Sequence, residues 1–528
     1  MSIAEAIRMG KTALGIELGS TRIKAVLIGE DHTVLANGSF SWENRLENNL
    51  WTYHLDDAVR GLQESFADLA GDVMRQYGVE LTTVGAIGIS GMMHGYLALD
   101  KEDKQLAPFL TWRNTNTPAA ADELTELFQF NVPLRWSISQ LYQAILNGES
   151  HVPQVDYITT LAGYIHYLLT GNRVMGVGEA SGMFPIDSTI MDYDQKMLDQ
   201  FDVLIENRGF PWKIRDILPK VLVAGQDAGC LSEAGAKLLD PTGKLQPGIP
   251  MAPPEGDAGT GMVATNSVAA CTGNVSAGTS IFSMIVMEKS LSKLYKDIDM
   301  VTTPSGRPVA MVHCNNGASE LDAWMRMFGE ILTAVGADVS TGELFGKLFN
   351  ESLKGDADCD DVTLFNYISG EPVTGLNDGR PLLVRRKDSK LSLANFMRSQ
   401  IYSIFASLAV GHRILHGENV RIKRLTGHGG LFKTPGVAQK YLAAAMDAPV
   451  TIMKTAGEGG PYGMALLAAY LLHAKETTLE EYLENVAFAG AESSTMEPDA
   501  ADVAGYKVYL QTYCDALDLE HTAVKCVK

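Results

Sequence analysis

From Leu14 the chain reads LGIELGSTRIKAVLI, two apolar runs divided by Gly-Ser-Thr, with Glu17 set among Leu14, Ile16 and Leu18. Apolar runs broken by a glycine turn predict two strands joined as a hairpin. The same pattern predicts strands over 14–19, 23–28 and 33–39, a helix over 56–77, a strand over 83–90 and a helix over 158–170. In the second half, Met397, Ile401, Ile404, Leu408 and Leu415 form one stripe of a helix over 391–416, which Gly417 is expected to stop. A strand-like RIKRLTG (421–427), a glycine loop, a helix over 436–447, a strand over 449–453 and a helix over 463–474 follow. Strands and helices alternate without a linker or low-complexity segment, so the expected class is α/β.

The opening stretch has an echo near the midpoint. VSAGTSIFSMIV, from Val275, lies over IELGSTRIKAVL, from Ile16: a strand, a glycine with two hydroxyl residues, then a second strand. Glycine lets backbone approach an anion, and the amides of a tight turn form an anion-binding nest without net positive charge. Any hairpin can turn at Gly-Ser-Thr, but a matched pair, one in each half, favours phosphate contacts at Gly19-Ser20-Thr21 and Gly278-Thr279-Ser280. Gly10-Lys11-Thr12 is no P-loop, because it lacks the earlier glycine and the preceding strand. Between the hairpins, PPEGDAGTGMVA (253–264) places Asp257 among small residues that can start a helix, at or near its N-cap. Glu17 in one hairpin and Asp257 leading to the other give two carboxylates facing a cleft between two domains.

Composition narrows the field. A chain of 528 residues exceeds what a single core supports, so two large domains are expected. Hydrophobic content of 46% excludes disorder. With 63 acidic against 43 basic residues the net charge is −20, and no Lys/Arg cluster offers a nucleic-acid footprint, although a small anion can still bind locally. The six cysteines show no CxxC spacing and read as reduced thiols. The N-terminus lacks a signal-peptide core, and MALLAAYLLHA (464–474) is shorter than the roughly 20 residues of a membrane span, so a cytoplasmic protein without membrane contact is expected. Asn-X-Ser triplets at Asn37, Asn274 and Asn350 are then chance matches. His412 and His416 have the i, i+4 spacing of metal ligands, yet Arg413 replaces the required acid and no third ligand presents itself.

Together, IELGST, the MHG of GMMHGYLALD, the tryptophan of LTWRN, GDAGTG leading to SAGTS, and TGHGGLFKTP resemble the FGGY carbohydrate kinases, from about residue 13 to the Tyr506, Tyr509 and Tyr513 helix. The resemblance implies two ribonuclease H-like domains of the actin and hexokinase ATPase type: 1–266 with the sugar site, first hairpin and catalytic acid, and 267–528 with the second hairpin and the adenosine site. It implies an ATP- and Mg²⁺-dependent kinase acting on a sugar, with no nucleic-acid partner; a homodimer is compatible with it. Asp257 matches the catalytic base, and Glu17 stands at a magnesium-holding Asp of the family, one methylene longer; both are metal candidates. Gly429-Gly430-Leu431 matches the loop on which adenine and ribose lie. Met93, His94, Trp112, Asn114 and Asp257 are the sugar-binding candidates. The Met-His pair is similar to that of xylulose kinases. Asn114, where many members have Asp after Trp-Asn, Ala258, where xylulose kinases commonly have Asn, and Gly370-Glu371-Pro372 in place of GER depart from the pattern. The expected substrate is a ketopentose, D-xylulose narrowly ahead of L-ribulose; glycerol, gluconate and fuculose are alternatives. A catalytically silent nucleotide-binding protein on the same ATPase fold is the alternative of another class, and Asp257 argues against it.

Overall fold

The computed structural model describes residues 1–457 and 459–528, with Thr455 and Ala456 described by backbone alone. The first hairpin forms as its pattern requires: β1 (Thr12–Leu18) pairs antiparallel with β2 (Arg22–Gly29), with Glu17 opposite Lys24. Adding β3 (Val34–Ser41), β4 (Ala86–Gly91) and β5 (Glu255–Gly256) completes a five-stranded sheet of order β5-β4-β1-β2-β3, in which β4 runs parallel to both β1 and β5. β1 is almost wholly buried because helices cover both faces of the sheet. Helix α1 (Leu55–Tyr77) closes on β3 at Gly38, where a Cβ would meet the Ser65 carbonyl at 2.1 Å.

The second half repeats the plan. Strands β6 (Thr272–Ala277), β7 (Ile281–Val286), β8 (Asp299–Thr302), β9 (Pro308–Cys314), β10 (Arg424–His428), β11 (Val450–Met453) and β12 (Ser493–Met496) form a sheet of order β8-β9-β7-β6-β10-β11-β12. Within it β9-β7-β6 are antiparallel and β6-β10-β11 parallel, the counterpart of β3-β2-β1 and β1-β4-β5. The duplication seen in two short stretches therefore extends to whole sheets.

Two helices interlock the lobes. Helix α2 (Asp257–Ala264) leaves the first sheet, and its Met262 and Val263 share an apolar cluster with Met284, Val286 and Val309 of the second. Conversely, α4 (Gly459–Leu471), which follows β11, lies on the first sheet: a Cβ on Gly15 would sit 2.2 Å from the Pro461 carbonyl and 2.4 Å from the Ala465 nitrogen. The helices meet backbone to backbone, since a Cβ on Gly463 would lie 2.0 Å from the Thr260 carbonyl.

Several boundaries differ from the sequence reading. The strand expected at 83–90 runs Ala86–Gly91, and the helix expected at 158–170 is a short strand, Tyr157–Thr159, then a helix, Leu161–Thr170. Gly417 does not stop its helix: α3 (Leu393–Gly417) includes it and Glu418 caps the end, because no left-handed residue is needed there. The helix expected at 463–474 begins at Gly459, which takes a positive φ of 73, while Gly460 makes room for the Glu17 carboxylate and Gly463 for the Thr260 carbonyl of α2. The stretch 464–474 is thus mostly core helix, and no described helix is long and apolar enough to cross a membrane. Gly10 sits at φ 67 in a turn between a helix and β1, outside any phosphate loop.

Candidate active site

Asp257 is the first residue of α2, with Gly256 rather than Asp257 as the N-cap. That places its carboxylate beside the positive end of the helix that links the two lobes. The backbone N–H of Met93 donates to Asp257 Oδ1 at 3.1 Å. Although the residue is open to solvent, the surrounding protein desolvates the carboxylate and raises its pKa. Glu17 reaches the same place from β1. Burial, with the Asp257 charge adding and Lys24 opposing, pushes its carboxyl up to about 8. Its Oε2 lies 1.5 Å from where a Cβ on Gly460 would stand, so α4 accommodates this carboxylate only because it carries glycine there. The structure thus brings together the two acids that the sequence separated by 240 positions.

Two buried acids escaped the sequence reading. Glu255 on β5 accepts the N–H groups of Glu179 at 2.9 Å and Gly178 at 3.3 Å, and burial raises its pKa to about 8. Glu179 packs against Gly256, and burial raises its pKa well above the ordinary range, with Asp257 and Glu255 adding. Nothing in a local pattern marks either residue; their burial comes from segments 76 positions apart in sequence closing on each other.

The Met93-His94-Gly95 loop is strained and pinned. His94 has φ 71, a left-handed conformation uncommon outside glycine, and its Nδ1 lies 3.2 Å from the Gly182 carbonyl. A carbonyl accepts only, so Nδ1 carries the proton and Nε2 is the acceptor. Burial, with Arg135 nearby, lowers its pKa to about 3, so the ring is neutral. Trp112 is 42% exposed, whereas Trp42, Trp136 and Trp212 are buried. Asn114 is buried with its amide committed: Oδ1 accepts the Trp51 N–H and Nδ2 donates to the Trp51 carbonyl, both at 2.8 Å.

Both hairpin tips are open, with Thr21, Gly278 and Thr279 exposed. Gly429, with φ 106, lies against the second: a Cβ there would meet the Ala277 carbonyl at 2.4 Å, so only glycine permits the approach. Gly429-Gly430-Leu431 therefore begins beside Gly278. His412 is committed elsewhere, its Nε2 2.7 Å from Ser283 Oγ in the core, and among the described residues no group of three or more His, Cys, Asp or Glu could hold a metal ion.

Two duplicated lobes, an acid pair between them and an open glycine hairpin from each define a phosphotransferase on the actin and hexokinase ATPase fold. The N-terminal domain model of the FGGY family of carbohydrate kinases matches residues 12–263, and the C-terminal domain model matches 273–472. The chain belongs to the FGGY family of carbohydrate kinases and is an ATP-dependent sugar phosphotransferase. It is 23% identical over 519 residues to the xylulose kinase of Escherichia coli K12, covering 95% of this chain and 97% of that protein. Among solved structures, the ligand-bound xylulose kinase of Lactobacillus acidophilus aligns with a TM-score of 0.78 at 16% identity, over 96% of this chain and 98% of that one. The gluconate kinase of the same organism aligns equally well, at 0.78 and 17% identity over the same shares.

Proposed function

We propose that the sugar is a ketopentose phosphorylated at its terminal hydroxyl, with D-xylulose narrowly ahead of L-ribulose. The observation that carries this reading is the bond from Met93 N–H to Asp257, which joins the Met-His loop directly to the acid that begins α2. In support, the full-length relative from Escherichia coli is named a xylulose kinase. His94 Nε2 accepts a sugar hydroxyl, and Trp112 offers an apolar face to the C–H side of the sugar. Asn114 ties the segment that carries Trp112 to the Trp51 backbone, so it acts on the sugar site by holding that segment rather than by touching the sugar.

Asp257 orients the terminal hydroxyl in line and accepts its proton as the oxygen bonds to the γ-phosphorus; the bond to the β,γ-bridging oxygen breaks and ADP leaves. Thr21 and Ser20 from one lobe, with Thr279 and Ser280 from the other, face the phosphates, while Gly429-Gly430-Leu431 supports adenine and ribose. Glu17 and Asp257 stand close enough that the Asp257 charge raises the Glu17 pKa, and a carboxylate pair without a third protein ligand among the described residues fits Mg²⁺, which is held by one or two carboxylates plus water and phosphate oxygens. Glu17 and Asp257 would hold it. When bound, the ion neutralises charge on the phosphates. Residues 1–266 supply sugar site and base; 267–528 supply the adenosine loop.

Phosphorus NMR of the mixture after incubation with D-xylulose and Mg-ATP tests the reading. A phosphate monoester on the terminal hydroxyl is expected. Absence of ester from any pentulose, with gluconate or glycerol phosphorylated instead, would overturn the ketopentose assignment.

A further inference from the structure

In both hairpins the carbonyls of the turn are tied back, but by different means. In the second, backbone suffices: Ala318 N–H donates to the Gly278 carbonyl and Gly317 N–H to the Thr279 carbonyl, each at 2.8 Å. In the first, side chains are recruited. Trp42 Nε1–H donates to the Gly19 carbonyl at 2.7 Å, Tyr53 O–H donates to the Ser20 carbonyl at 2.7 Å, and Trp42 N–H holds the Thr21 carbonyl at 3.2 Å.

The consequence follows from peptide geometry. In a trans peptide the C=O and the next N–H point in opposite directions. Fixing the carbonyls of Gly19 and Ser20 on one side therefore fixes the N–H groups of Ser20 and Thr21 on the other. Released, either peptide can rotate and aim a carbonyl oxygen at the phosphates, replacing attraction by repulsion. The two donors are built for rigidity: Trp42 and Tyr53 are 7% and 2% exposed, and their rings pack against each other with centroids 4.2 Å apart and planes tilted by 30°. Tyr53 follows the strand Leu50–Thr52, whose Trp51 backbone is clamped by Asn114, so the sugar-side loop and the phosphate hairpin share one support.

We infer that Trp42 and Tyr53 are positioning residues for the nucleotide phosphates, acting through the peptide groups of Gly19-Ser20 and Ser20-Thr21. The inference rests on the reading that the hairpins contact phosphate. Tyr53→Phe removes one donor and keeps the ring contact; Trp42→Phe removes the other and keeps an aromatic ring. Calorimetry on the full chain should show ATP affinity falling about fivefold for each, the size expected for one lost hydrogen bond, and further in the double variant. Adenosine affinity and the sugar KM should stay within about twofold. A solely structural role would lower ATP and adenosine affinity together, and that result would overturn the inference. So would unchanged ATP affinity in both variants while Gly278→Val weakens ATP. If Gly278→Val and both Phe variants all bind ATP normally, the hairpin reading itself is wrong.

Discussion

Asp257 and Glu17 are ordinary carboxylates made unusual by where they stand. Each is disfavoured in its charged form by burial, and Glu17 is disfavoured further by Asp257. Such a pair is uncomfortable until a cation or a transferable proton arrives, which is why the arrangement suits catalysis better than stability. Asp257→Asn keeps the shape and the Met93 contact but cannot take a proton. Its kcat is expected to fall by about 10² or more while calorimetric sugar affinity persists. Near-normal turnover would remove Asp257 as the base. Both acids were legible in the sequence, Glu17 as a carboxylate inside an apolar strand just before a glycine turn and Asp257 as an acid among small residues. Trp42, Tyr53, Glu179 and Glu255 were not, since their partners lie in distant segments and an aromatic or buried acid has no local signature of such contacts.

At the level of elements, the hairpins were the most readable feature, because apolar runs around a glycine turn have few alternative structures. Helix ends were less so. Gly417 and the glycines of α4 look alike in sequence, yet Gly417 is merely the last residue inside a long helix, whereas Gly460 and Gly463 make room for the Glu17 carboxylate and the Thr260 carbonyl. Close approach of this kind is invisible until both elements are placed. Gly278 is different again, for a Cβ there meets nothing within 4 Å. Gly278→Val should therefore fold with an unchanged thermal midpoint while a branched side chain occupies the phosphate approach, so ATP affinity falls and sugar affinity holds. Unaltered nucleotide binding by calorimetry would take this hairpin out of the site.

Across the whole molecule, buried titratable groups set a pH window for stability. His94 and His412, with pKa lowered to about 3, and His166 and His313, lowered to about 4, bind fewer protons when folded, so stability falls as pH drops below 6.5. Glu255, raised to about 8, and Glu371, raised to about 7, bind more protons when folded. Their contribution is complete below 4.5 and lost as pH rises through 7 to 8. Above 6.5 the raised acids take over, and buried thiols and phenols act in the same direction at higher pH, so the thermal midpoint should decline toward alkaline pH without ligands, and Glu371→Gln should flatten the decline near pH 7. A midpoint that rises over that range in calorimetry would contradict the assignment.

On the proposed reading the first lobe decides the substrate, because a buried site that hydrogen-bonds particular hydroxyls leaves polar groups unpaired against the wrong sugar. The account is tested most directly by kcat/KM with Mg-ATP across D-xylulose, L-xylulose, D-ribulose, L-ribulose, glycerol, L-fuculose and gluconate. One pentulose, D-xylulose first, is expected to lead clearly, and a highest value on glycerol or gluconate would contradict it.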